Sequence, residues 1–158
     1  FSIIYLPKLN EMYYAIKGKG VFLNHKRIDK PNEKTINESI VEFCGSIDKK
    51  YEEKQHILQK LLNNKERPGN FMYINSCCFA FSNLLSGRSD TLIVSANKIW
   101  DVLPGMFMLE ELGIKKTIVD GITIYHNTIG LEKILKKATM KDQMLLKLNL
   151  QLEQQNIL

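Results

Sequence analysis

The segment Lys98-Ile99-Trp100-Asp101-Val102-Leu103-Pro104-Gly105 joins a short apolar run, Thr91 to Ser95, to a longer one, Met106 to Leu112. The first run has the length and β-branched content of a buried strand, and the second is long enough for a buried helix. The segment between them therefore reads as a strand-to-helix junction. Asp101 takes the N-cap, Pro104 falls in the first turn where a missing N–H costs nothing, and Gly113 stands just past the end as a C-cap. Two readings of Asp101 follow. A carboxylate at a helix start, backed by a large aromatic, is either a structural cap or a metal ligand, and one carboxylate alone does not decide between them.

The same order occurs immediately upstream. Phe71 to Ile74 reads as a strand, Asn75-Ser76 as a polar junction, and Cys77 to Ser86 as a helix apolar on nearly every side, stopped by Gly87. A helix with no polar face must be covered on both sides, so two of them predict a layered α/β sandwich with helices between sheets.

The N-terminal part supplies a sheet. Phe1 to Tyr5, Met12 to Ile16 and Val21 to Asn24 are β-branched and aromatic runs separated by Pro7-Lys8-Leu9-Asn10 and Lys17-Gly18-Lys19-Gly20. Gly18 and Gly20 supply the positive φ of a tight hairpin, and a solvated hairpin tip is a simpler reading of this loop than a phosphate cradle. Asn24-His25-Lys26 is a second turn with an exposed histidine. Pro31 to Ser39 reads as an irregular connection into the strand Ile40 to Cys44. From Asp48 to Asn64, Ile57, Leu58, Leu61 and Leu62 recur at helical spacing, predicting an amphipathic helix with His56 on its surface. Lys116 to Val119 and Ile122 to Tyr125, joined by Asp120-Gly121, form a hairpin. The expected division is a body over residues 1–130 and a Lys-rich helical tail over residues 131–158.

With 158 residues, 44% of them hydrophobic, the chain has material for one core and no mark of disorder. The net charge of +5 is spread over segments with interleaved acids, which describes a solvated surface. Without an arginine-rich stripe or an aromatic-interleaved motif, nucleic acid is not the expected partner. Cys44, Cys77 and Cys78 are an odd set with two members adjacent, a poor disulfide framework that reads as buried thiols in a reducing cytoplasm. No apolar run approaches the ~20 residues of a membrane helix. Phe1-Ser2-Ile3-Ile4-Tyr5 has no starting Met and is already strand-like, as if the chain began inside a longer fold.

Several elements, taken in order, resemble the inositol monophosphatase family of magnesium-dependent phosphatases. They are Pro7-x-x-Asn10-Glu11-Met12-Tyr13-x-Ala15 leading into Lys17-Gly18-Lys19-Gly20 and Phe22-Leu23-Asn24, then Ser86-Gly87-x-x-Asp90, then Trp100-Asp101 with Gly105 and Glu111-x-Gly113. The resemblance implies an αβαβα-type, sugar-phosphatase-like sandwich, present in part. It implies Mg²⁺ as cofactor, Asp101 as a metal ligand, and Asn75, Ser76 and Cys77 as a substrate-binding turn at a helix start suited to an anion. Val94 stands where inositol-selective members carry an acidic residue, so the substrates implied are phosphate monoesters of inositol, sugars or nucleotides. Lys98 reads as exposed.

This sequence departs from the family pattern at Leu103 and Pro104, where small residues are usual, and at Gly113-Ile114, where two small residues are usual. The family's paired acidic residues and Asp-Pro-x-Asp-Gly-Thr strand, which supply most metal ligands and the attacking water, do not occur here. The chain is therefore expected to be the C-terminal portion of such a phosphatase, inactive in isolation, with no catalytic residue assigned. A homodimer or a completing N-terminal segment is the expected partner. The alternative is a non-catalytic binding or assembly protein of the same fold.

Overall fold

The computed structural model describes residues 1–45, 51–94, 98–119 and 121–136, with side chains excepted for residues 51–56. Strands β1 (Ser2–Leu6), β2 (Glu11–Ile16), β3 (Gly20–Leu23) and β4 (Lys26–Arg27) follow one another as an antiparallel meander. Its turns use the residues that tolerate positive φ: Asn10, Gly18 and Gly20, and then Asn24 with His25. Next come β5 (Lys34–Thr35), a 3₁₀ turn (Ile36–Glu38), β6 (Ile40–Cys44), α1 (Tyr51–Leu62), β7 (Asn70–Ile74), α2 (Cys77–Leu85), β8 (Thr91–Val94) and α3 (Ile99–Glu111). The described chain continues through β9 (Lys115–Val119), β10 (Ile122–His126), β11 (Thr128–Ile129) and helical residues 131–136.

The second sheet has the order β7-β6-β8-β10-β9, with β6 parallel to both β7 and β8, and β10 antiparallel to its neighbours. Strand alternation sorts its residues between two cores. Cys44, Leu92, Val94 and Tyr125 face α2 and α3, which press on Ile4, Tyr13, Ala15 and Val21 of the first sheet. Val41, Phe43, Ile93 and Ile124 face the other way, onto Ile57 and Leu61 of α1 and onto Leu131, Ile134 and Leu135. The layers thus run sheet, helices, sheet, helices. The outer face of the first sheet carries Ile3, Tyr5 and Ile16 in the open, with Tyr14 and Phe22 stacked at 5.0 Å beside them.

Three expectations change, and part of a fourth lies outside the described residues. The Pro31 to Ser39 connection is partly ordered, because β5 pairs in parallel with β11 and the 3₁₀ turn is closed by Glu38 and Thr35. The amphipathic helix is described over Tyr51–Leu62, and the Asp48 to Lys50 part of the expected span lies outside the described residues, as do Ser95 and Asp120. Helix α3 starts at Ile99 with Lys98 as N-cap, so Asp101 is the third residue of the first turn and Pro104 lies inside the helix. Ile99 and Trp100 already take helical geometry, and Asp101 donates its N–H to the Lys98 carbonyl at 3.0 Å. Lastly, α3 is not covered on all sides. Its early turns expose Ile99, Trp100 and Leu103, whereas α2 is buried from Ala80 to Leu85.

A polar chain crosses the layers. Arg88 reaches back to Glu11 of β2 with two hydrogen bonds of 2.7 and 2.9 Å and gives its Nε–H to Asn83 Oδ1 at 2.9 Å. Asn83 in turn donates to Glu42 of β6 at 3.2 Å. The Arg88 guanidinium holds the Glu11 carboxyl below the ordinary carboxylate range. Because Arg88 remains partly exposed, Arg88→Ala is expected to cost only about 1 kcal/mol and to lower the melting temperature by about 2–4 °C. Calorimetry of the two chains reads this directly. An unchanged midpoint would show that the fork does not hold the layers together.

Candidate active site

Because β6, β7 and β8 are parallel, their last residues Cys44, Ile74 and Val94 share one end of the sheet. Helix α2 leaves β7 through Asn75-Ser76, and α3 starts at Ile99, shortly after β8 ends at Val94, so both helix starts belong to that end. Such a crevice beyond the carboxyl ends of parallel strands is where α/β folds bind ligands. Its polar groups come from sequence-distant elements.

Ser76 is the N-cap of α2, yet its side chain makes no capping hydrogen bond. The first N–H groups of a nine-residue helix and the exposed Ser76 and Asn75 side chains therefore lie together at this end of the sheet. That arrangement favours an anion.

Asp101 lies close enough to this helix start for its charge to act on all three thiols, adding a little to the upward shifts of Cys44 and Cys78 and opposing the downward shift of Cys77. Asp101 itself is exposed. Cys44, buried at the strand end, donates its S–H to Cys77 Sγ at 3.3 Å. This contact, ahead of burial, holds the Cys44 proton on and draws the Cys77 thiol down. For Cys78, burial is the largest cause of its upward shift.

The structure thus gathers Asn75, Ser76, Cys77 and Asp101 at one end of one sheet. It adds Cys44, whose only mark in the sequence is that of a cysteine ending an apolar strand. Asp90 and Glu111 fall elsewhere. Asp90 precedes β8 at the opposite end, where its carboxylate accepts the Ile40 N–H at 2.8 Å and pairs with Lys34 at 3.0 Å. Glu111 accepts the Gly20 N–H at 3.2 Å, tying α3 to the first hairpin. Lys98 is exposed, its Nζ 5.4 Å from the Trp100 ring centre. Val94 is buried and apolar at the strand end. A separate 490 Å³ pocket, lined by Lys115, His126, Thr128 and Lys133 among others, opens at the far end of the sheet.

The inositol monophosphatase family model matches residues 1–152. The chain belongs to the inositol monophosphatase family. It is 27% identical over 121 residues to the inositol-1-monophosphatase of Bacillus subtilis, a match covering 76% of this chain and 44% of that protein. Against the Nus factor SuhB of Xylella fastidiosa the identity is 25%, covering 71% of this chain and 40% of the relative. The chain thus spans less than half the length of these relatives. Among solved structures, SuhB of Bartonella henselae superposes with a TM-score of 0.72 at 20% identity, over 85% of this chain and 56% of that one. A Thermotoga maritima IMPase superposes at 0.68 and 19%, over 90% of this chain and 56% of that one. These likenesses fix the fold as that of the family, with the partial α/β sandwich described above.

Family structures include an IMPase/NADP phosphatase complexed with Mg²⁺ and phosphate. Whether the described residues of this chain fit such an ion is a question of donors. Magnesium takes six oxygens in near-octahedral geometry, whereas the groups on which the Asp101 charge acts are the thiols of Cys44, Cys77 and Cys78. Among the described residues no group of three His, Cys, Asp or Glu side chains is placed to hold a metal. By themselves, then, the described residues do not make a Mg²⁺ site. No helix among them is long and apolar enough to cross a membrane.

Proposed function

We propose that this chain is the C-terminal portion of a Mg²⁺-dependent phosphate monoester hydrolase, contributing the anion-binding half of the active site and one metal carboxylate. The observation that carries the proposal is the convergence of the α2 and α3 starts at the carboxyl ends of β6, β7 and β8. In this reading the N–H groups at Cys77 and Cys78 and the Ser76 hydroxyl receive phosphate oxygens, with Asn75 beside them. The Cys77 thiol is turned toward Cys44, so its backbone is the part that meets substrate.

Asp101 would hold the metal through a carboxylate oxygen, and the remaining carboxylates would have to come from outside the described residues. Inositol, sugar and nucleotide monophosphates are the substrate class, with the apolar Val94 at the cleft end giving no hydrogen bond to a sugar hydroxyl. A cytoplasmic setting goes with three cysteines held as thiols. Without further carboxylates the isolated chain turns over little or no substrate, since hydrolysis of this kind needs metal-held oxygens on both attacking and leaving sides.

The test is Mg²⁺-dependent phosphate release by residues 1–158, alone and with a separately made N-terminal segment of a family member, with Asp101→Asn as control. The expected result is background rates alone and turnover in the mixture that falls at least about a hundredfold in Asp101→Asn, the scale of losing a charge-stabilising group. Strong turnover by the chain alone would show that it already carries a complete site.

The exposed Ile3, Tyr5, Ile99, Trp100 and Leu103 favour a second reading, an assembly partner without catalysis that acts as a homodimer or against another chain. A mixture that binds but releases no phosphate, together with a self-associated species in sedimentation, would select it.

A further inference from the structure

We propose that Cys44 and Cys77 are a redox modification site, closing to a reversible intramolecular disulfide when the chain meets a hydroperoxide. The two sulfurs lie 3.3 Å apart although their residues stand at the end of β6 and the start of α2. A further approach of about 1.3 Å brings sulfurs at this separation to a disulfide bond length. The pair is also asymmetric in access. Cys77 is half-buried at the open end of the sheet, whereas Cys44 is 2% exposed behind it.

That asymmetry assigns the order of events. The Cys77 sulfur, at a helix start that favours thiolate, attacks one peroxide oxygen and expels hydroxide, which takes up a proton as water. The resulting sulfenic acid meets the Cys44 sulfur, which forms the S–S bond as the sulfenic oxygen leaves as a second water. Two thiols lose two electrons and two protons, and one hydrogen peroxide becomes two waters. Cys78, next in sequence, is exposed and competes for peroxide, while the sulfur in contact with Cys77, and so the resolving thiol, is that of Cys44. The bond would pin the α2 start to the β6 end, at the floor of the cleft. This inference goes beyond the phosphatase reading and is read out by thiol chemistry, without any activity measurement.

The experiment treats the reduced chain of residues 1–158 with graded hydrogen peroxide, blocks remaining thiols under denaturing conditions, and maps peptides by mass spectrometry. Of the three cysteines, Cys44 and Cys77 should lose their alkylation together as one cross-linked pair, while Cys78 stays largely alkylated at low peroxide. Dithiothreitol should restore all of them. Cys78→Ser, a change at an exposed position, should retain the cross-link, whereas Cys44→Ser and Cys77→Ser should each lose it. The same chain in urea, where the native approach is gone, should form the link about tenfold more slowly or worse. Oxidation confined to Cys78, dimers through Cys78, or equal rates in the folded and urea-unfolded chain would overturn the proposal.

Discussion

Gly105→Ala should destabilise the chain by about 3 kcal/mol, at the upper end of what overpacking a core costs, and lower its melting temperature by about 6–12 °C. A Cβ at Gly105 would stand 2.0 Å from Phe81 Cγ, 2.4 Å from Cδ2 and 2.5 Å from Cδ1. The ring has nowhere to withdraw. Phe81 is fully buried and packs edge-on against Tyr125 of the second sheet, with ring centres 6.4 Å apart. Helix propensity alone gives the opposite sign, since Ala in place of an interior helical Gly stabilises by about 1 kcal/mol. A higher melting temperature for Gly105→Ala would therefore show that α2 and α3 are not packed as closely as described. Adding Phe81→Leu to Gly105→Ala should recover part of the loss, because the two residues share one space and their effects do not add.

The close packing of α2 on α3 was legible only in outline. Two apolar helices between strands announce a layered arrangement, and the turn residues at Gly18, Gly20, Asn24, Gly87 and Gly113 stand where the chain needs positive φ or a helix stop. What the local pattern hides is long-range pairing. That β6 lies between β7 and β8 in parallel, and that β5 pairs with β11, depends on strands far apart in sequence. The Asp101 cap was misplaced because Asp is favourable both at an N-cap and in the first turn, so the residue type does not fix the start of the helix. Similarly, apolar residues around α3 do not reveal which of them meet a neighbour. Ile99, Trp100 and Leu103 have the composition of a core and stand exposed. Asn75, Ser76, Cys77 and Asp101 were singled out through the family resemblance, and each lies in or just before the first turn of a helix. Cys44 was not, since strand register alone brings it to Cys77.

The other long-range feature, Glu42, did leave a trace as one acid inside an apolar strand, and it carries the last expected result. Replacing Asn83 by Ala should cost about 2–3 kcal/mol, the range for leaving a buried charged group short of its partner. Glu42 is fully buried and Asn83 nearly so, and the Asn83 amide donates to both carboxylate oxygens, at 3.2 and 3.4 Å. Burial pushes the Glu42 carboxyl above its ordinary value of 4.5, with Ser89, Asn83 and the Arg88 charge pulling the other way. The native state then keeps a proton that the unfolded chain has released, so this group's contribution to stability falls as pH rises from the unfolded pKa to the folded one. Glu11 has the opposite sign, its stabilisation being lost as pH falls through its lowered folded pKa. Glu42→Gln keeps an acceptor for Asn83 and removes the charge. Relative to the parent chain it should gain stability as pH rises from about 4 to about 7, while Asn83→Ala, which withdraws a group favouring the charged form, should steepen the parent's loss. Urea unfolding of the three chains across that range measures the differences. If the Glu42→Gln and parent curves ran parallel, Glu42 would not be titrating in the core. Its charge would then be met by the polar chain through Asn83 and Arg88.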